Sequence, residues 1–249
     1  MDPFLVSDAW AELSCDYSLT VGEAPKHNIK QLALSELLNA EPRRAYMDWL
    51  MNHIGAPNKS VAASMLVKRI ASLLVAPVLG AMTYYNKGIG ITLEHSRLFH
   101  KEASISGTPF PFMALTEVMV TAPDPLNRAA WRAEVIQQLF GESLTPIIKL
   151  AAAEGPVSMA ILWENVMARI APIYGDDQDH DDELSRRLRE DFLYIAKEAP
   201  GERFGMRKNP FASFAEIRDG CWLTGRSKRL TCCLYYQMAP EYCLKCPKP

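Results

Sequence analysis

The chain has 249 residues, of which 49% are apolar and 22% are charged, and its formal net charge is −2. This composition is typical of a globular protein with a substantial core, and the small net charge excludes a global attraction to nucleic acid or to a membrane surface. The first residues, MDPFLVSDAW, lack a basic segment followed by an apolar run and so do not match a targeting signal. We therefore expect a cytoplasmic protein, with peripheral membrane contact still compatible with the sequence.

Helical periodicity begins after a short lead-in. Residues 1–28 show no strong period and are expected to be loosely structured. From 28 to 54, apolar residues recur at three- and four-residue steps, which predicts a helix that is interrupted near Pro42. Gly55, with Pro57 two residues beyond it, is expected to end this helix.

A second helix contains the most apolar stretch of the chain. Ser60 is expected to cap its start, Tyr85 lies near its end, and Pro77 is expected to kink it. The apolar stretch Ile70–Met82 is 13 residues long. A membrane-spanning helix needs ~20 residues, so we expect this helix to be buried in the protein.

Short strands and further helices follow. The partial alternation in ITLEHSRLF (91–99) predicts a strand, a loop is expected from Gly107 to Pro111, and TEVMV (116–120) is expected to form a second strand. The stretch from 124 to 198 predicts helices over the ranges 124–141, 143–154, 156–172 and 181–198. The acidic run from Gly175 to Glu183 suits the start of the last helix, because carboxylates complement the helix dipole.

The predicted class is α+β, predominantly helical, with a small sheet and an irregular C-terminal module. We expect a mainly helical body over 1–201, which is compatible with two subdomains that separate near 88–124. Residues 202–249 are expected to form a basic segment followed by a cysteine-rich module.

The cysteine-rich module carries the strongest chemical signal. Four of the six cysteines lie in the last 18 residues, at Cys232, Cys233, Cys243 and Cys246, in the pattern C-C-x9-C-x2-C. In a reducing cytosol, such a cluster indicates metal binding or redox chemistry rather than structural disulfides. The spacing of Cys243 and Cys246 lets both coordinate one metal ion. The adjacent side chains of a C-C pair usually diverge, which favours a larger, binuclear metal centre.

Three interpretations fit the four clustered cysteines. A 2Fe–2S cluster takes two cysteines per iron and uses all four. A zinc site with four cysteine ligands has the same ligand number, and disulfides or free thiols are a third interpretation. Cys15 and Cys221 lie outside the pattern and are expected to be small buried residues, with Cys221 also considered as a substitute ligand.

The C-terminal pattern resembles the ferric siderophore reductase family, the FhuF-like proteins, in R-x-T/S-C-C-L-x-Y followed by C-x2-C. The matching residues are Arg229, Thr231, Cys232, Cys233, Leu234, Tyr236, Cys243 and Cys246. The family's usual motif has ten residues between the cysteine pairs, and this chain has nine. The ligand count is unchanged by that difference.

The resemblance implies a 2Fe–2S cluster held by the four cysteines in a cytosolic oxidoreductase. It implies one-electron reduction of the iron in a ferric siderophore, which releases Fe(II) because the lower charge weakens the bonds to hard oxygen donors. The sequence contains no G-x-G-x-x-G, phosphate-loop or G-x-S-x-G motif. We therefore expect the electrons to come from a separate donor protein or reductant.

Basic residues precede the cysteines. Seven basic and two acidic residues lie between Arg203 and Arg229, which gives this segment a local charge of +5. We predict that Arg226, Lys228 and Arg229 contact the electron donor or the substrate, an anionic hydroxamate- or citrate-based ferric siderophore; the alternative is a solvated loop with ordinary ion pairs. Nucleic-acid binding is not expected, because the rest of the chain lacks a basic footprint.

Two other functions stay open from the sequence. The first is a non-enzymatic binding module in which the four cysteines hold a structural zinc ion. The second is an iron–sulfur electron carrier or sensor without a siderophore substrate. Metal analysis separates the first from a reductase, and reoxidation of the reduced protein by ferric chelates separates the second.

Overall fold

The protein is built around one long helix and a small mixed sheet, which confirms the predicted α+β class. The computed structural model describes residues 1–15, 19–102, 106–175, 182–218, 222–239 and 241–248. The helices are α1 Asp8–Cys15, α2 Ala40–His53, α3 Lys59–Tyr85, α4 Arg128–Gln137, α5 Thr145–Glu154, α6 Met159–Ile170 and α7 Glu183–Leu193. The strands are β1 Leu19–Val21, β2 Lys30–Ala33, β3 Gly88–Gly90, β4 Ser96–His100, β5 Phe112–Leu115, β6 Met119–Thr121, β7 Ala215–Arg218 and β8 Trp222–Gly225.

Helix α3 is the centre of the core. Its cap is Asn58, whose side chain accepts the Val61 N–H at 3.1 Å, so the predicted cap at Ser60 was wrong by two positions. Pro77 lies inside the helix, which continues past it to Tyr85. The packing of the neighbouring helices α5 and α6 along α3 stabilises the helix despite the missing proline N–H.

Helix α3 is longer than its apolar stretch suggested. It has 27 residues and, by length and composition alone, it is long and apolar enough to cross a membrane. However, 89% of its most apolar 18-residue window is buried inside the protein. Burial of this extent is typical of a core helix, as the sequence predicted.

The N-terminal part is more ordered than expected. Residues predicted as a loose lead-in include helix α1 and strand β1. The predicted helix over 28–54 is wrong in its first part, because strand β2 pairs antiparallel with β4 there. Pro42 does not interrupt a helix, since it lies in the first turn of α2, where a backbone N–H has no helical partner.

The mixed sheet has the strand order β1-β5-β4-β2, in which only the β1–β5 pair is parallel. Leu19, Met113, Leu98 and Leu32 form one row across the four strands, and all four are buried. The predicted strand over 91–99 is right only from Ser96, where β4 begins, because residues 93–95 form a bend. The predicted strand over 116–120 is mostly a turn between β5 and β6, and β6 pairs with β3 in a separate ladder.

Gly141 does not end a helix as predicted. Helix α4 continues through a π-helical segment, Gln138–Leu144, directly into α5. A Cβ atom at Gly141 would lie 2.8 Å from the carbonyl oxygen of Arg203. Glycine is therefore used here for a close approach of two backbones, which sequence periodicity does not reveal.

The region after Gly201 is a hairpin followed by an irregular tail. Strands β7 and β8 pair antiparallel, a hairpin that the sequence analysis did not predict. Phe204 and Phe211 from this region pack against Phe140 in the core. Cys221 and residues 176–181 of the acidic run lie outside the described residues, whereas Asp182 caps α7 by accepting the Ser185 N–H at 2.8 Å. The domain division near residue 201 stays a prediction.

A buried carboxylate joins α3, α4 and α7. Asp191 has no exposed surface and accepts hydrogen bonds from Arg128 at 2.7 Å, Arg132 at 3.2 Å and Thr83 at 2.9 Å. Two guanidinium groups thus share one carboxylate in the core. Removing one partner of a buried ion pair destabilises a protein strongly, because the other charge is left without compensation. A substitution of Asp191 therefore tests how these three helices are held together.

We predict that Asp191→Ala lowers the free energy of unfolding by about 3 kcal/mol, because Arg128 and Arg132 would stay partly buried without this counter-charge. Urea unfolding measures this change. The matched control is Glu190→Ala on the same helix, whose carboxylate pairs with exposed Arg186 and should cost less than ~1 kcal/mol. Equal losses in the two variants would contradict the prediction.

A buried histidine joins α2 to the sheet. His100 Nδ1 donates to the Pro109 carbonyl at 3.3 Å, and Nε2 lies 3.0 Å from the Tyr46 hydroxyl, which donates to it when the ring is neutral. Burial lowers the pKa of His100 to about 4, against the Pro109 hydrogen bond, which raises it; the nearby charges of His53 and Arg69 lower it further.

We predict that His100 makes stability pH-dependent below neutrality. Its pKa is about 4 in the folded protein and ~6.5 in the unfolded chain. The contribution of the neutral ring is therefore complete above pH ~6.5 and is lost as the pH falls toward ~4, by about 3 kcal/mol. In His100→Gln, the free energy of unfolding should fall less steeply over this interval than in the wild type. His27→Gln, at an exposed position, should leave the slope unchanged, and parallel curves for wild type and His100→Gln would refute the assignment.

Candidate metal centre

The tail brings all four cysteines of the predicted motif together. Cys233 and Cys246 are buried, Cys232 and Cys243 are partly exposed, and none of the four forms a disulfide. The loop that carries them is closed by a hydrogen bond from the Arg229 N–H to the Lys245 carbonyl at 2.9 Å. A tight turn, with the Cys246 N–H donating to the Cys243 carbonyl at 2.8 Å, forms the C-x2-C end.

The sulfurs form pairs that cross the motif. Cys232 Sγ lies 3.9 Å from Cys246 Sγ, close to the ~3.8 Å between two thiolates on one tetrahedral metal with ~2.3 Å bonds. Cys243 is in hydrogen-bond contact with Cys233. Each pair therefore takes one cysteine from C-C and one from C-x2-C. Within the described ranges, no three His, Cys, Asp or Glu side chains are arranged around a single ion position.

Burial and the neighbouring sulfurs favour the neutral form of the two partly exposed thiols, Cys232 and Cys243. Burial raises the pKa of Cys232 and of Cys243, and the neighbouring cysteines raise it further. Two hydrogen-bond donors point at the sulfurs. The Leu234 N–H lies 3.4 Å from Cys232 Sγ, and the Lys68 ammonium lies 3.9 Å from Cys233 Sγ. Leu234 adopts a left-handed conformation with φ of 69°, which costs a non-glycine residue energy and directs its N–H to the sulfur.

Glu164 of helix α6 anchors the start of the tail. Its carboxylate, 3% exposed, accepts the Leu230 N–H at 2.6 Å and the Thr231 N–H at 2.7 Å. The Thr231 hydroxyl also donates to Glu164, and the Arg229 guanidinium lies 3.6 Å away. The residue before the first cysteine is thus fixed by a buried charge.

A second anchor connects the cysteine loop to the middle of the core. The Ser64 hydroxyl of α3 donates to the Cys233 carbonyl at 2.8 Å and accepts from the Asn165 amide at 2.9 Å. Asn165 in turn accepts from Arg229 at 2.8 Å. Ser64, Asn165 and Arg229 are all buried, so this polar chain fixes Cys233 relative to both α3 and α6.

The three predicted substrate contacts lie in different environments. Arg226 donates to the Ser213 carbonyl at 3.0 Å and pairs with Glu216 at 3.2 Å. Lys228 is exposed. Arg229 is 8% exposed and is used in the network with Glu164 and Asn165. A role of these residues in substrate binding stays a prediction.

The cation next to the cysteines comes from elsewhere in the chain. Lys68 lies on α3, and its ammonium also lies 5.1 Å from the centre of the Tyr235 ring. The sequence analysis missed Lys68 because 165 residues separate it from Cys233. The sequence did contain one signal, the Lys68-Arg69 pair in a mostly apolar helix, because charged side chains are seldom buried unless they have a partner.

Comparison with known proteins assigns the body of the chain to a family. Residues 64–220, well over half of the chain, match the family described as "Ferric iron reductase FhuF-like transporter". No curated protein matches the chain. The chain therefore belongs to the FhuF-like ferric iron reductase family, as its C-terminal motif suggested. The matched range ends before Cys232, so it does not include the four cysteines.

We predict that Glu164→Gln loosens the cysteine tail, because the Leu230 and Thr231 N–H groups bond to different carboxylate oxygens, one of which the amide replaces by an NH2 donor. The loss should be about 2 kcal/mol, seen as more than tenfold faster hydrogen exchange of the backbone amides in 229–246. Glu154→Gln is the control, since that carboxylate is also mostly buried but pairs with Arg43 and Lys59. Unchanged exchange in Glu164→Gln, or the same increase in both variants, would exclude the anchoring role.

Proposed function

We propose that the protein is a cytoplasmic ferric siderophore reductase in which Cys232, Cys233, Cys243 and Cys246 hold a 2Fe–2S cluster. One electron passes from the reduced protein to Fe(III) in the chelate, which becomes Fe(II) and leaves its hard oxygen donors. A separate donor protein or reductant then returns one electron to the oxidised protein. The family of the chain, described as ferric iron reductases, supports the reaction class.

The observation that supports a binuclear centre best is the crossed pairing of the sulfurs. Cys232 pairs with Cys246 and Cys233 contacts Cys243, which gives two two-cysteine sets. A 2Fe–2S cluster needs two cysteines on each iron. A mononuclear zinc site instead needs all four ligands around one point, which two separate sulfur pairs do not provide.

The donor set fits a negatively charged metal–sulfur centre. When bound, a 2Fe–2S cluster supplies a one-electron store whose potential depends on hydrogen bonds, charge and exposure. Neutral thiols are weak acceptors, whereas thiolates bound to metal accept hydrogen bonds strongly, and the chain aims the Leu234 N–H and the Lys68 ammonium at sulfur. Burial and the neighbouring sulfurs raise the pKa of Cys232 and Cys243, and a bound cation would offset both effects by sharing the charge of these two thiolates.

The protein's own residues control access and charge around this centre. Cys233 is buried against the core, and Cys232 and Cys243 are partly exposed, so a bulky chelate can approach from their side. Lys68 places a positive charge beside Cys233, which favours added negative charge there. Arg226 and Lys228 lie on the basic segment and are proposed contacts for the donor or for an anionic hydroxamate- or citrate-based siderophore.

We predict that anaerobically purified protein contains about two irons and about two acid-labile sulfides per chain and a visible absorption that dithionite bleaches. Cys232→Ser, Cys233→Ser, Cys243→Ser and Cys246→Ser should each lower iron and sulfide severalfold, because each removes one of four ligands. Metal analysis, sulfide determination and the paramagnetic resonance spectrum of the reduced protein measure this. Cys15→Ser, outside the motif, should retain both.

Two results would replace the proposal. Stoichiometric zinc without sulfide would assign the tail to a structural site in a binding module. Iron and sulfide with reoxidation that no ferric chelate accelerates, followed by stopped-flow absorption, would leave an electron carrier or sensor.

A further inference from the structure

A cavity with a strongly basic lining lies beside the cysteine loop. Its volume is about 240 Å³, and it is lined by Met65, Lys68, Arg69, Ser72, Phe110, Arg169 and Tyr235. Met65, Lys68, Arg69 and Ser72 recur at helical spacing and form one stripe of α3. Arg169 comes from the end of α6, and Tyr235 comes from the cysteine loop itself.

The charges in this cavity are of one sign. Lys68, Arg69 and Arg169 contribute three cationic groups, and no carboxylate is among the described residues of the lining. Burial lowers the pKa of Arg69, and the charge of Arg169 lowers it further. Two guanidinium groups that repel each other in a partly buried cavity are stabilised when an anion lies between them.

Arg69 is held with one donor available. Its Nε donates to the Pro111 carbonyl at 2.7 Å, and its guanidinium carbon lies 5.7 Å from the centre of the Phe112 ring. These contacts fix the plane of the group. Its Nη2 atom is buried and has no hydrogen-bond partner in the part of the chain that the structure describes. A planar, fixed guanidinium with a free donor is suited to a carboxylate, which it can bind through two N–H groups.

The position of the cavity ties it to the metal centre. Lys68 lines the cavity and lies 3.9 Å from Cys233 Sγ, and Tyr235 lines it two residues after Cys233. A larger basic cavity of about 700 Å³ is lined in part by Lys149, Arg207 and Lys208, and none of its lining residues contacts a cysteine among the described interactions. Of these two cavities, the smaller one is placed for chemistry at the cysteines.

We propose that this cavity is the subsite for a carboxylate-bearing, anionic ferric chelate, with Arg69 and Arg169 binding its carboxylates and Lys68 lying between chelate and cysteines. The inference rests on the proposed reductase function for the identity of the ligand. A cavity of about 240 Å³ is smaller than a drug-sized site of ~300–1,000 Å³. It therefore receives a small chelate such as ferric citrate, or the anionic arm of a larger one.

Binding of gallium(III) citrate tests this subsite without electron transfer, because Ga(III) has the charge and size of Fe(III) and is not reduced. Calorimetric titration should give saturable binding to the wild type, weakened about tenfold or more in Arg69→Gln and in Arg169→Gln, since each loses a charge-assisted hydrogen bond. Arg69→Lys should recover part of the affinity. Lys26→Gln, an equal loss of charge at an exposed position, should bind like the wild type.

Further arms separate the competing sites and ligands. Lys208→Gln tests the larger cavity and should bind like the wild type. Lys228→Gln tests the proposed contact on the basic segment, and it should weaken binding less than Arg69→Gln does, because Lys228 is exposed to solvent. Citrate without metal, and an uncharged gallium(III) trihydroxamate, should both bind more weakly than gallium(III) citrate. Three results would overturn the inference. The first is equal affinity in Arg69→Gln, Arg169→Gln and wild type, and the second is a loss confined to Lys228→Gln or Lys208→Gln. The third is an affinity for either comparison ligand that equals the affinity for gallium(III) citrate.

Metal content separates this inference from the function on which it rests. Iron, sulfide and the thermal unfolding midpoint are measured for every variant, so that a loss of folding or of metal is not read as a loss of affinity. Protein that contains iron and sulfide and reduces ferric chelates, but binds gallium(III) citrate independently of both arginines, refutes the cavity alone. Protein without iron and sulfide refutes the reductase, while the gallium titration still decides whether the cavity binds the anionic chelate.

Discussion

The structure depends on one buried polar network that joins α3, α6 and the cysteine tail. Ser64 and Asn165 have no exposed surface, and Glu164 and Arg229 are almost fully buried. Each of these residues bonds to another member of the network or to the tail backbone. The buried Nε of Arg229 has no hydrogen-bond partner among the described residues, but it lies 3.6 Å from the Glu164 carboxylate. Because a buried polar group without a partner costs about 1–3 kcal/mol, the tail has little freedom to leave this arrangement. The positions of the sulfurs follow from that restriction.

Helix α3 contacts both the cysteine loop and the basic cavity. Ser64 holds the backbone at Cys233, and Lys68, one turn later, places its ammonium at the sulfur of the same residue. Arg69 then belongs to the lining of the basic cavity. Helix α3 is buried along most of its length and is held by packing against α6. One helix therefore supplies both the anchor of the cysteine loop and part of the cavity lining.

The two lines of identification come from different parts of the chain and meet at this network. The family match covers 64–220 and ends before the cysteines, whereas the motif that first suggested the family lies between Arg229 and Cys246. Ser64, Lys68 and Glu164 lie inside the matched range and contact the motif directly. A body of this family and a tail of four cysteines are thus one physical unit.

The sequence determined the class of fold, the buried α3 helix and the set of four cysteines, because apolar periodicity and the C-C-x9-C-x2-C spacing are local patterns. It did not determine the strand β2, which was predicted as helix, since pairing with β4 overrides a short apolar period. Nor could spacing show that Cys232 approaches Cys246 or that Lys68 approaches Cys233. These contacts bring together residues distant in sequence, and only the packing of α3, α6 and the tail around shared buried polar groups decides which of them meet.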